Sequence, residues 1–210
     1  MNNAVLSGII SSPPQLRYSH DNKPMSEFLL AFQNASKSES VKQIKCVGFG
    51  KLAELIAQLD ENQAIVLVGA INIISKESKS NGTKTKVTEF KISALDMVSS
   101  PVNVNSVSIA GRVGRDPEVR YFESGTNKTS CSLAVRRTSQ TDWFDLEAWG
   151  KTGEVMGNYV RKGGLIGILG QIKFEEWTDK STGELRSKPV ILVGELELLG
   201  GKKEQEQEDF

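Results

Sequence analysis

The chain contains an internal repeat that covers most of its length. Residues 5–18 (VLSGIISSPPQLRY) and residues 108–121 (SIAGRVGRDPEVRY) share one pattern of glycine, proline and a closing Arg-Tyr pair. The correspondence continues to Gly69 and Gly170, while the offset changes from 103 to 101 residues. A repeat this long exceeds a solenoid unit but suits a complete small domain, so the 210 residues predict one duplicated domain.

Each repeat has the periodicity of strands interrupted by one helix. In the second repeat, alternation of apolar and polar residues predicts strands at 107–113, 131–135 and 143–149. The residues that follow break this alternation, and a helix is predicted there. Two longer alternating segments come after that helix, and the first repeat has the same order. Three strands, a helix and two strands is the order of the OB-fold. We therefore expect an all-β chain of two tandem five-stranded OB-fold barrels, each with one helix after strand three.

The repeats also define domain boundaries. We expect an N-terminal barrel at residues 1–98, a linker at 99–105, a C-terminal barrel at 106–200 and an acidic tail at 201–210. A linker of that length is too short for wide independent movement of the barrels.

Charge and hydropathy limit the classes of partner. The 26 Lys and Arg residues balance 26 Asp and Glu residues, so a polyanion would have to bind in a local groove with aromatic help. No apolar run approaches the roughly 18 residues of a membrane span, and the first residues lack the basic start of a secretory signal. We expect a cytoplasmic protein with no membrane partner.

The strand at 143–149 places large aromatic side chains on a polar face. Alternation puts Trp143, Asp145, Glu147 and Trp149 on one side, with the two tryptophans roughly 20 Å apart. Trp177 has the same relation to its own strand. Such tryptophans can cap a barrel or fill an interface. Three of them on neighbouring polar faces favour a platform on which nucleic-acid bases stack.

Five motifs of the second repeat carry a family resemblance, and they occur in the family's order: GRVGRDPEVRY (111–121), WFDLEAWGK (143–151), YVRKGG (159–164), GQI (170–172) and WTDK (177–180). Together they resemble the bacterial single-stranded-DNA-binding proteins (SSBs). The resemblance implies OB-folds that bind and protect single strands without sequence preference in replication, recombination and repair, at the bacterial nucleoid. The segment at 136–142 is shorter than usual, and a stacking tryptophan often found there is absent.

The candidate DNA-binding residues of the second repeat are aromatic and cationic, with base stacking implied at the tryptophans: Trp143, Trp149, Trp177, Arg112, Arg115, Arg120, Tyr121, Arg137, Lys173, Lys180, Arg186 and Lys188. The first repeat resembles the family more weakly, because Gln43 stands in place of Trp143 and Lys76 stands near the place of Trp177. It is either a weaker DNA site or a structural partner domain. Its candidate residues are Arg17, Tyr18, Phe49, Lys76, Lys84 and Lys86.

The resemblance also implies two kinds of protein partner. The family usually assembles four OB domains, which predicts a homodimer of this chain. The first strands of the repeats could pair across a two-fold axis and cover an open sheet edge. The family's acidic tip docks replication and repair proteins, a role that falls here on Glu208, Asp209 and Phe210, although such a tail can also be merely solubilising.

Catalysis, a cofactor and a metal are not expected. The Gly-Lys-Thr at 150–152 lacks the first glycine of a phosphate loop, since Asp145 occupies that position. Asp145 and Glu147 have no third ligand, and His20 is the only histidine. An alternative function is a replication accessory protein of primosomal type that acts mainly through protein contacts. The three tryptophans favour single-strand binding instead.

Overall fold

The chain folds into two barrels of β-strands, one from each repeat. The structure is a computed structural model that describes residues 1–33, 35, 41–77, 84–138, 140–178, 183 and 185–200, apart from the side chains of 75–77, 84–86, 185 and 186. Barrel one comprises β1 (Asn2–Ile10), β2 (Gln15–Tyr18), β3 (Pro24–Gln33), β4 (Val41–Phe49), α1 (Lys51–Ile56), β5 (Ala64–Glu77) and β6 (Lys84–Met97). Barrel two comprises β7 (Asn105–Val113), β8 (Glu118–Tyr121), β9 (Asn127–Arg136), β10 (Thr141–Trp149), α2 (Gly150–Tyr159), β11 (Leu165–Thr178) and β12 (Leu185–Leu198).

All strands within the described residues belong to one continuous sheet. Their order is β2-β3-β4-β6-β5-β1-β7-β11-β12-β10-β9-β8, and the extra pairings β3–β1 and β7–β9 close each half into a barrel. The parallel pairs β4–β6 and β10–β12 enclose the helix-containing connections. The expected tandem OB-fold with one helix per barrel is confirmed. Each barrel has in addition a four-residue strand, β2 or β8, which the sequence pattern does not predict because it buries no apolar face.

Closure of each barrel depends on a glycine in its first strand. β1 pairs with β5 along most of its length and with β3 at its end, so it must bend between two partners. A Cβ added at Gly8 would lie 2.1 Å from the Ala31 carbonyl oxygen, and one at Gly111 would lie 2.4 Å from that of Ala134. Only glycine therefore allows the strands to approach this closely.

The two barrels are joined by backbone pairing of β1 with β7. These strands run antiparallel from Asn2 opposite Ile109 to Leu6 opposite Asn105. We expected the first strands to pair between two chains and so to cover an open sheet edge. This expectation is wrong, because β1 and β7 of the same chain pair with each other. The connecting segment lies against β1, where the Ser7 N–H donates to the Val104 carbonyl oxygen at 2.8 Å.

An asparagine at the start of each first strand extends the ladder beyond the backbone pairing. Asn105 Nδ2 donates to the Ile172 carbonyl oxygen at 2.8 Å, and the Ile172 N–H donates to Asn105 Oδ1 at 3.0 Å. Asn2 makes the same two bonds to Ile71, at 2.6 and 3.3 Å. The side-chain amide thus replaces a backbone partner where the strands separate.

Side chains also bridge the barrels. Phe32 of β3 contacts Phe174 of β11 edge to face, with ring centroids 6.1 Å apart, and Lys42 Nζ lies 2.6 Å from Glu176 Oε2. These contacts hold the outer part of β11 against barrel one. Neither helix within the described residues is long and apolar enough to cross a membrane.

Candidate nucleic-acid interface

The predicted aromatic face exists on the outside of barrel two. Along β10, Phe144 and Ala148 are buried in the core, whereas Trp143 and Trp149 on the opposite face are 49% and 43% exposed. Trp177 on β11 is 44% exposed. We call the face that carries the three tryptophans the platform.

The strand register brings β10, β12 and β11 together on the platform. Asp145 of β10 lies opposite Val190 of β12, which lies opposite Lys173 of β11. Partners in register point to the same side of a sheet. Trp143 is two residues from Asp145, and Trp177 is four residues from Lys173. Both tryptophans therefore point to the same side of the sheet as these residues.

Trp143 lies against a glycine. A Cβ added at Gly114 would be 2.3 Å from Cζ3 of the Trp143 ring. The residue opposite Trp143 in β9 is the small Ala134. The indole therefore has room to lie over the strand backbone.

Trp149 is held by three neighbours. Its ring stacks on Phe122, with centroids 5.6 Å apart and planes 16° apart, and Lys128 Nζ lies 5.7 Å from its centroid. Its Nε1–H donates to Glu147 Oε1 at 2.5 Å. A ring fixed in this way loses little conformational freedom when a base stacks on it.

Glu147 is the buried charge beneath the platform. It is 4% exposed, and it accepts from Lys173 Nζ at 2.8 Å and lies 3.5 Å from Lys128 Nζ. Burial raises the pKa of Glu147, but hydrogen bonds from Lys173 and Trp149 and the two lysine charges outweigh it, so the pKa is lowered overall. Burial likewise lowers the pKa of Lys173, but Glu147 and Glu175 outweigh it and the net shift is upward. Both groups are therefore charged at neutral pH.

Two of the predicted phosphate-binding lysines are already paired. Lys173 Nζ lies 3.1 Å from Glu175, and Lys188 Nζ lies 3.1 Å from Asp145 and 3.8 Å from Glu175. Arg137 is also engaged, because its Nε lies 2.8 Å from the buried Asp142 carboxylate.

Three other predicted cations of the second repeat, among those whose side chains are described, are more accessible. Arg115 and Arg120 are exposed, and Arg112 donates to the Gly163 carbonyl oxygen at 2.9 Å while it stays exposed. Tyr121 on β8 is 71% exposed. These residues lie on β7, on β8 and on the turn between them.

Barrel one has a smaller counterpart of the platform. Phe49, in the place of Trp149, is 45% exposed and has Lys91 Nζ 5.4 Å from its ring centroid. Gln43, in the place of Trp143, donates to Ser11 Oγ at 3.1 Å. Arg17 lies 3.2 Å from Glu27, and Tyr18 is 59% exposed. Barrel one thus offers Phe49 with an adjacent cation and the exposed Tyr18, where barrel two offers three indoles.

The remaining candidate residues, or their side chains, lie outside the part of the chain that the structure describes. Lys180, Glu208, Asp209 and Phe210 are not among the described residues, nor are the side chains of Lys76, Lys84, Lys86 and Arg186.

Sequence reasoning missed several residues that shape the platform. Phe122 and Gly114 lie in turns, where strand alternation does not indicate direction. Lys128 lies opposite Trp149 in the β9–β10 register, so a correct hairpin register would have identified it.

Two OB-fold barrels and an exposed aromatic strand face place the chain in the class of tandem OB-fold proteins. The model of the single-strand binding protein family matches residues 1–98 and 104–199. The chain belongs to this family, and both of its halves match.

Relatives agree with this assignment, and solved structures share the fold. "Single-stranded DNA-binding protein 1" of Synechocystis sp. is 57% identical over 108 residues, which is 49% of this chain and 89% of the relative. "Single-stranded DNA-binding protein 1" of Nostoc sp. is 54% identical over 108 residues, 50% of this chain and 91% of the relative. The crystal structure of wild-type single-stranded DNA binding protein from Thermus aquaticus matches with a TM-score of 0.75 at 21% identity, over 96% of this chain and 94% of that one. A deletion mutant of that protein matches with a TM-score of 0.76 at 20% identity, over 99% and 98% of the two chains. The tandem arrangement is thus a known fold.

Proposed function

We infer that this protein binds single-stranded DNA without sequence preference, and that it protects single strands during replication, recombination and repair. The observation that supports this most directly is the platform, on which Trp143, Trp149 and Trp177 are each close to half exposed. Every base has a π-face, so stacking on indoles does not depend on sequence and contributes about 1 to 3 kcal/mol per base.

Phosphates would follow the exposed cations beside the platform. Arg115 and Arg120 have no ion pair within the described residues, and Arg112 gives only one bond to a carbonyl oxygen. Such side chains can exchange water and counterions for phosphate at small cost. Lys173 and Lys188 contribute less, because carboxylates already neutralise them.

We assign a weaker DNA-binding role to barrel one. Phe49 and Lys91 provide one stacking ring with an adjacent cation, and Tyr18 is exposed beside Arg17. The domains proposed from the repeats, 1–98 and 106–200, would then differ in affinity.

A titration with oligo-dT tests the function. All three tryptophans of the chain lie on the platform, so quenching of intrinsic tryptophan emission reports on this face alone. We expect most of the emission to be quenched at saturating oligo-dT. Unchanged emission with full binding would exclude stacking on the platform.

Alanine variants test the individual residues. Trp143→Ala and Trp177→Ala should each weaken oligo-dT binding by about 1 to 3 kcal/mol with little change in salt dependence. Trp149→Ala and Phe49→Ala are a matched pair at equivalent positions of the two barrels, and we expect Phe49→Ala to have the smaller effect. A variant that unfolds would show its tryptophan to be a structural residue.

Assembly and location follow from the same proposal. Two chains would supply the four OB domains usual in the family, so light scattering should give about twice the 23.0 kDa chain mass. The acidic tail ending in Phe210 would dock replication and repair proteins. The protein would act at the bacterial nucleoid, as a binding protein without catalytic activity.

A further inference from the structure

A continuous row of ion pairs separates the tryptophans of the platform. Lys128 pairs with Glu147 at 3.5 Å, Glu147 with Lys173 at 2.8 Å and Lys173 with Glu175 at 3.1 Å. The row continues through Lys188, which lies 3.8 Å from Glu175 and 3.1 Å from Asp145. Among the described side chains of the platform, three lysines thus meet three carboxylates and each lysine has a partner.

The outer part of this row is accessible to solvent. The side chains of Asp145, Glu175 and Lys188 are 41%, 36% and 44% exposed. Exposed ion pairs add little to the stability of a fold. The outer carboxylates are therefore not required to hold β10, β11 and β12 together, and their effect on what binds the platform can be considered separately.

Neutralised lysines affect the two forms of DNA differently. A duplex hides its base faces and presents phosphates, so it binds chiefly through cations that release counterions. A single strand also offers base faces, which stack on indoles whether or not nearby lysines are free. We propose that Asp145 and Glu175 make the platform selective for single strands over duplex DNA, because they neutralise Lys188 and Lys173. This inference rests on the proposed function.

The test is a double variant in the full chain, Asp145→Asn with Glu175→Gln. These changes keep the shape of both side chains while they release Lys188 and, in part, Lys173. Glu147 is left intact because it holds Trp149. We expect the affinity for a 20-base-pair duplex to rise by roughly tenfold at low salt. The slope of log affinity against log salt should steepen by about 0.9 for each lysine that gains a phosphate.

Glu195→Gln with Glu197→Gln is the matched control. It removes the same two charges from exposed positions of β12, which line a separate cavity beside Met1. Fluorescence anisotropy of labelled duplex and of labelled oligo-dT, over a range of salt concentrations, gives affinities for all three proteins. The control should raise duplex affinity less, with no steeper slope.

The outcomes separate the two proposals. If the double variant and the control bind duplex with equal affinity and slope, while the wild type binds oligo-dT with quenching, the selectivity inference is overturned alone. If the wild type does not bind oligo-dT, both proposals fail. Circular dichroism checks folding. If the double variant is unstable, Asp145→Asn compared with Glu195→Gln tests the removal of the nearer partner of Lys188, with a smaller rise in duplex affinity expected.

Discussion

Ala4 lies directly opposite Val107 in the ladder that joins β1 to β7. The two residues are equivalent positions of the repeats, since they are separated by the same 103 residues as Gly8 and Gly111. A pseudo-two-fold axis therefore passes between them. The junction of the barrels has the symmetry of an isologous dimer contact, in which a surface pairs with a copy of itself.

This symmetry predicts the behaviour of an isolated second barrel. A fragment of residues 104–199 exposes the edge of β7 that β1 covers in the full chain, and we expect two fragments to pair through β7. Light scattering should give twice the fragment mass.

A proline variant provides the control for the fragment. The Ala110 N–H donates to the Met1 carbonyl oxygen at 2.9 Å, and alternation directs the Ser108 N–H to the same side. Ser108→Pro removes this donor from the exposed edge and should give a monomer. A wild-type fragment that stays monomeric at micromolar concentration would contradict the predicted pairing.

The asparagine at the start of β7 should contribute measurably to stability. Asn105→Ala leaves the N–H and carbonyl of Ile172 without their side-chain partner, so we expect a loss of about 1 to 3 kcal/mol in the free energy of unfolding. Asn103→Ala, which removes only an exposed contact with Gln33, should cost less than about 0.5 kcal/mol. Urea denaturation measures both, and equal values would argue against a structural role for the Asn105 amide.

The position of Trp143 should depend on Gly114. A methyl group there would meet Cζ3 of the indole at 2.3 Å, so Gly114→Ala must displace the ring. We expect a shifted tryptophan emission spectrum and weaker oligo-dT binding, by up to the roughly 1 to 3 kcal/mol of one stacked base. Gly194→Ala is the control, because its added methyl has only an ordinary contact, at 3.5 Å from the Leu169 carbonyl oxygen. Identical spectra for the two variants would show that the ring does not lie against Gly114.

Glu147 should make the protein more stable at neutral than at acidic pH. Its folded-state pKa is below the unfolded value of about 4.3, so the unfolded state takes up its proton first as the pH falls. The stabilisation is complete above the unfolded pKa and is lost as the pH falls through the folded pKa. Glu147→Gln should therefore show a shallower loss of unfolding free energy from pH 6 to pH 3.

The raised pKa of Asp142 does not affect that comparison. Burial raises the pKa of Asp142 more than the Arg137 charge lowers it. The folded state therefore binds this proton more tightly, and the contribution of Asp142 to stability increases as the pH falls. Because Asp142 is present in both proteins, its contribution cancels in the difference. Parallel pH profiles for wild type and Glu147→Gln would contradict the assigned role of Glu147.

Strand alternation was sufficient to predict which tryptophans face outward. The pattern along β10 depends only on the period of a strand with one buried face, so Phe144 and Trp143 could be assigned to opposite sides without coordinates. The order of strands and helix likewise indicated the barrel.

Contacts between distant segments could not be predicted in this way. Periodicity does not identify the partner of an edge, so the pairing of β1 with β7 inside one chain was missed. Periodicity likewise does not show that Lys173, a predicted DNA-binding residue, pairs with Glu147. Phe122 comes from a turn, and only the folded barrel brings it onto Trp149.

Because the two barrels are parts of one chain, the sequence of each barrel can change independently of the other. In a dimer of identical subunits, every substitution appears in both subunits. A contact and its copy across the two-fold axis must therefore change together. Here Lys42 pairs with Glu176, whereas the equivalent positions on the other side of the axis are Asp142 and Ser75. Substitutions in barrel two can therefore improve its binding to a ligand while barrel one diverges in sequence. Because the barrels are one chain, they always remain paired one to one.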